Sequence, residues 1–177
     1  MGSRRRARRC TSSSASTNVI QVGRQDDAAR DLEEASAAVS RFIDACPDAA
    51  WHQRIETEAK TVAAIAYHCA LGNDVALGWI CQLLARRPVY ETAETHDAFN
   101  IVEAVRNAGA TKLEVSEALR RTTQRAAAFL RELTDEELER GAMFGVADRE
   151  MTVGRFIPSF GHHMRIHLES LEQALHD

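Results

Sequence analysis

Between Asp27 and Cys46 the apolar residues Leu32, Ala35, Val39, Phe42, Ile43 and Cys46 recur at intervals of three and four. That period commits the segment to an amphipathic helix, which Pro47 ends. After a loop carrying Trp51, Thr61 to about Ala85 reads as a long second helix stopped by Arg86, Arg87 and Pro88. A third region opens near Thr95, is punctuated by Asn107, Gly109 and Thr111, and resumes through Val115, Leu119, Thr122, Ala126, Phe129 and Leu133. Two helical pieces with a break near Gly109 are expected there. Thr134 to Glu137 spells a capping box over a short acidic turn, and Thr152 caps a last helix running to about Leu175, with Pro158 kinking it or sitting in its first turns. No stretch alternates apolar and polar residues with β-branched enrichment, and Ala (29 residues), Leu and Arg, all good helix formers, dominate. The expected fold is all-α, a four-helix bundle, with helix order left open.

The 177 residues, 45% of them apolar, suffice for one domain with its own core. Every apolar run is broken by a charge, His or amide within about ten residues, short of the ~18 a membrane span needs. Cys10, Cys46, Cys69 and Cys81 form no CxxC pair, and no secretory h-region is present, so reduced thiols and a cytoplasmic location are expected. The charge is uneven. Residues 1–25 hold six Arg and no acid, leaving 16 basic against 26 acidic residues in the body, residues 26–177. With the Ser-rich run from Thr11 to Thr17, the first 25 residues read as a disordered tail. An Arg-rich arm of this kind is also the footprint of a nucleic-acid binder, so a non-catalytic dimerisation or ligand-sensing module with a nucleic-acid-binding tail is the rival reading; nucleic acid is the less favoured partner.

The seven histidines carry the chemical information. Projected at about 100° per residue, the last helix aligns Phe156, Phe160, His163, His167, Ser170 and Ala174. The second helix aligns Ile65, His68, Leu71, Gly72, Val75 and Trp79, with His68 in the middle of the face expected to be buried. Buried imidazoles need a partner for each ring nitrogen, and an unsatisfied one costs about 1–3 kcal/mol. A divalent ion satisfies three at once. His163 and His167, one turn apart, with His68 from a facing helix make a three-nitrogen set with open positions, suited to zinc, nickel, copper or iron. Phe156, Phe160, Leu71, Val75 and Trp79 would wall the adjoining pocket, and His96 would reach its mouth. His52, His162 and His176 are expected in solvent, Cys69 in packing, and Asp74 and Glu169 off the ligand faces. No HExxH, phosphate loop or dinucleotide fingerprint occurs.

The segments Thr61 to His68, the surroundings of Asn100, Leu133 to Leu138 and, above all, Thr152-Val-Gly-Arg-Phe-Ile-Pro-Ser-Phe-Gly-His-His163-Met-Arg-Ile-His167-Leu resemble the DinB-like superfamily, also called YfiT-like, over about residues 30 to 176. The resemblance implies an up-down-down-up four-helix bundle, a homodimer, and a zinc or nickel ion on His68, His163 and His167. It further implies a thiol S-transferase or isomerase working with a low-molecular-weight thiol and a small electrophile.

Overall fold

The computed structural model describes residues 23–56 and 58–176. Most of the expected Arg-rich tail therefore lies outside the described residues, while Arg24 already opens the first helix. In order, the elements are α1 (Arg24–Ala45), α2 (Asp48–Trp51), β1 (Arg54–Ile55), β2 (Lys60–Thr61), α3 (Val62–Leu84), α4 (Ala93–Arg106), α5 (Lys112–Glu132), α6 (Asp135–Leu138), β3 (Gly141–Phe144), β4 (Arg149–Thr152), α7 (Val153–Phe156) and α8 (Ser159–His176). Helices α3, α4 and α5 each start at a capping threonine. Thr61 Oγ1 accepts from the Ala64 amide, and reciprocal capping boxes at Thr92–Thr95 and Thr111–Glu114 open α4 and α5.

The four bundle helices are α1, α3, α5 and α8. Helices α1 and α3 each pack against both α5 and α8, so α1 lies diagonally across from α3. The core between them is filled by Leu32, Val39 and Ile43 of α1, Ile80 and Leu83 of α3, Leu119 and Leu130 of α5, and Met164 and Leu171 of α8, all essentially inaccessible to water. At about 25 cal/mol per Å² of apolar surface removed from water, this burial is the main stabilising term. Among the described residues no helix is long and apolar enough to cross a membrane.

The structure departs from expectation in three places. First, two small antiparallel pairs interrupt the helical pattern: β1 with β2, and the four-residue ladder of β3 with β4. Asp148, at φ 47°, supplies the left-handed residue that lets a 3-10 turn close the second ladder. Second, the last helix is broken rather than kinked. Thr152 caps only the short α7, which ends at Phe156; Pro158 has no amide to donate, and α8 begins at Ser159. Third, the buried line of each histidine-bearing helix runs about one residue after the expected line. In α3 it follows Ala66, Cys69, Asn73, Ala76 and Ile80; in α8 it follows Met164 and Leu171. His68, His163 and His167 therefore sit on the half-buried flank, not in the middle of the core face.

Candidate metal centre and its cavity

Histidines His163 and His167 stand one turn apart on α8, and His68 faces them from α3. The ring centroids lie 4.9 Å (His68–His163), 4.8 Å (His68–His167) and 4.6 Å (His163–His167) apart. Their candidate ligand atoms all fall within 4.8 Å of one another, and the Nε2 atoms of His68 and His163 are 3.0 Å apart. Two nitrogens at about 2.0–2.1 Å from one ion are separated by roughly 3.0–3.4 Å, so this spacing fits shared coordination with little adjustment.

The rings are electrostatically prepared for a cation. Burial, reinforced by repulsion from His163 and His167, drives the pKa of His68 down to about 2. Burial and the neighbouring His167 take His163 to about 3, and burial lowers His167 as well. All three rings are therefore neutral at physiological pH, the protonation state a metal requires. His167 Nδ1 is buried without a hydrogen-bond partner among the described residues. An orphaned buried nitrogen beside two imidazoles in contact is a costly arrangement for three core residues and a natural one for three ligands, so the donor set fits a divalent ion. Gly72 makes room for it: a Cβ there would lie 2.6 Å from His163 Cε1.

A cavity of about 160 Å³ opens beside the trio, with His68 and His163 on its wall and His167 outside its lining. All six residues expected at the pocket, Leu71, Val75, Trp79, His96, Phe156 and Phe160, line it. Phe156 sits edge-on to Trp79 and Phe160, at centroid distances of 6.0 Å and 6.2 Å. Gly72, on the same stripe of α3 as His68, also lines the cavity, as do Asn73, Ala76, Phe99, Phe144 and Ser159, which were not expected there. Asn100, which entered only through the family resemblance, follows His96 by four residues and was recoverable from the helical period. Phe144 was not, because it arrives on β3, which has no alternating signature.

His96 is more than a mouth residue. Its Nδ1 lies 2.9 Å from Glu91 Oε1, and Trp79 Nε1 donates to Glu91 Oε2 at 2.9 Å. A carboxylate oxygen accepts, so the contact has Nδ1–H donating to Glu91, which orients the ring. Glu91 is itself held by the backbone: Val89 N donates to Met143 O and Gly145 N to Val89 O, tying the α3–α4 connection to the second hairpin. Gly145 permits this contact, since a Cβ would lie 2.6 Å from Glu91 O.

Where they are described, the remaining residues behave as expected. His162 is exposed, and His52 is exposed with Nδ1 3.3 Å from Ala108 O. The side chain of His176 and the whole of Cys10 lie outside the described residues. Cys46, Cys69 and Cys81 are free thiols; Cys69 is fully buried, and burial raises its pKa to about 12, which suits packing and not nucleophilic work. Asp74 pairs with Arg125 on α5, and Glu169 is exposed.

A search of curated proteins finds no match to the chain. Among solved structures it is similar to YfiT from Bacillus subtilis, described as a probable metal-dependent hydrolase with an unusual four-helix bundle topology. That match has 19% sequence identity and a TM-score of 0.71 and covers 85% of each chain, a likeness of fold. The family model of the DinB superfamily matches residues 31–171, and with the bundle and its order of histidines in view, this chain belongs to the DinB superfamily.

Proposed function

We propose that this protein is a metal-dependent enzyme in which His68, His163 and His167 hold a divalent ion, zinc or nickel, at the wall of the aromatic cavity. In this reading it joins or rearranges a small electrophile with the help of a low-molecular-weight thiol. The observation that carries the metal site is the convergence of three neutral imidazoles, from two helices, with ligand atoms within 4.8 Å of one another. The similarity to YfiT, itself described as a probable metal-dependent hydrolase, supports it.

Three protein ligands leave coordination positions open, and an ion there would lower the pKa of a bound thiol or water so that it attacks at neutral pH. The chain's own residues do the rest. Trp79, Phe144, Phe156 and Phe160 keep bulk water from one side of the reacting groups and give the electrophile an apolar seat. His96, fixed by Glu91, can take a proton from the nucleophile and return it to the leaving atom. No Asp or Glu lines the cavity among the described residues, so this imidazole is the base available to either a thiol or a water. Hydrolysis is the second reading, favoured by that oriented His96 and by the description of YfiT.

We further propose that the protein acts as a homodimer, which the inverted polarity of α4 supports: Ile101, Val102 and Val105 of this helix are all exposed.

The decisive experiment measures bound metal in the purified protein and in His163→Ala, then turnover of glutathione with a model electrophile. In His163→Ala the metal and the turnover are lost together while far-UV circular dichroism stays nearly unchanged. Retained metal stoichiometry in that variant would overturn the assignment. Metal binding without turnover of any thiol or ester would favour a non-catalytic module.

A further inference from the structure

The chain contains six Phe, two Trp and two Tyr, and five of these ten aromatic residues, Trp79, Phe99, Phe144, Phe156 and Phe160, line the cavity beside the histidine trio. They meet mostly edge to face, with Trp79 and Phe144 at 5.2 Å and 84°. Such a herringbone wall suits a flat π-system, because a further ring can continue the edge-to-face pattern. The polar groups on the same wall are selective as well. His96 donates from Nδ1 to Glu91, and its Nε2 has no hydrogen-bond partner among the described residues, so in the neutral ring that nitrogen is an open acceptor. Asn100 Oδ1, one turn further along α4, is buried and likewise without a partner among them. Asn100 Oδ1 is thus a buried acceptor left open, with the partly exposed His96 Nε2 one turn away, and a ligand that donates would complete both.

Resting on the reading of this cavity as the substrate site, we propose that it takes a flat, conjugated or aromatic molecule carrying a protic O–H, N–H or S–H group, which donates to His96 Nε2 and Asn100 Oδ1. Helix α4 is built for that task. It puts His96 and Asn100 on the cavity wall and leaves Ile101, Val102 and Val105 in solvent, the reverse of an ordinary amphipathic helix.

Calorimetric titration of the full chain, metal-free and zinc-loaded, with phenol, anisole and cyclohexanol tests this, with Trp79 emission reporting occupancy. Phenol has both the ring and the donor; anisole lacks the donor, and cyclohexanol lacks the π-face. Phenol is expected to bind at least about tenfold more tightly than either. Its advantage over anisole should shrink to about twofold or less in His96→Phe and in Asn100→Leu. No residue of α4 is buried, so both variants should keep their helical content. Equal affinity for phenol and anisole, absence of binding by all three, or a phenol preference that survives both substitutions would overturn the proposal. Metal content measured on the same samples separates the two readings: phenol indifference in metal-bearing protein sinks this inference alone, whereas phenol selectivity in protein that takes no metal sinks the metal reading and leaves this one standing.

Discussion

Gly72 shows how finely the site depends on single atoms. Alanine is the better helix former by about 1 kcal/mol, yet its Cβ would meet the His163 ring at 2.6 Å. Gly72→Ala should therefore leave the denaturation midpoint unchanged or raised while swinging one ligand out of line, weakening metal affinity by roughly 10–100-fold in a competitive chelator titration. Unaltered affinity would mean that His163 does not need its present position. The three rings also make a signed prediction about acidity. Each has a folded pKa below its unfolded value, so below about pH 6.5 the unfolded chain binds more protons than the folded one. Their contribution is complete above about 6.5 and is lost as pH falls toward the values near 2 and 3 of His68 and His163. At pH 5 the loss is roughly 2 kcal/mol for each of these two rings. Urea denaturation of metal-stripped protein at pH 7.5 and pH 5 checks this, and equal midpoints would refute it. At this scale the candidate site was largely legible: the HxxxH pair and His68 stand on helices whose period sets their direction. Glu91 was not, because a carboxylate in the connection between α3 and α4 has no period to announce which imidazole it will meet.

At the scale of elements, the long helices and their caps were readable because period and capping chemistry are local. The angular position of the core was not. A stripe of apolar spacing defines a line along a helix, and where the neighbours leave a cavity beside the core, the histidine line and the deepest line part by about 100°. The second hairpin was hidden for a related reason: its strands are four residues long, too short for alternation to register, and they are held by Val89 from the preceding connection. The deepest line of α3 also carries a polar seam. Asn73 Nδ2 donates to Thr122 Oγ1 at 3.2 Å and to Thr123 Oγ1 at 3.4 Å, and the Ser36 and Thr123 hydroxyls are 2.8 Å apart, so α1, α3 and α5 are joined inside the core. Thr123→Val keeps the volume and strands the Ser36 hydroxyl, which should cost about 1–3 kcal/mol in chemical denaturation. The double variant with Ser36→Ala removes both hydroxyls of that pair and should recover part of the loss; a single variant as stable as the parent would show that the seam contributes nothing.

For the whole molecule, the bundle proper is α1, α3, α5 and α8, and α4 is an addition laid over the cavity. It packs on α3, on β2 and on the turn between β3 and β4, and none of its residues is buried. Its outward residues Ala98, Ile101, Val102 and Val105 follow one another at intervals of three, one and three, the stripe that elsewhere faces a core. Ile101 and Val105 are 64% and 74% exposed, a cost in water that a second copy of the chain would remove. The proposed homodimer therefore places α4 between the protomers, and the same helix that carries His96 and Asn100 over the cavity would be steadied by the contact. Replacing Ile101 and Val105 together by Glu should convert the dimer to a monomer in size-exclusion chromatography with light scattering, with helical content preserved because neither side chain is buried. A parent protein that is monomeric at micromolar concentration, or a doubly substituted dimer as stable as the parent, would remove α4 from the interface. If the monomer forms and phenol affinity falls with it while metal content holds, the dimer contact is what keeps α4 seated over the cavity.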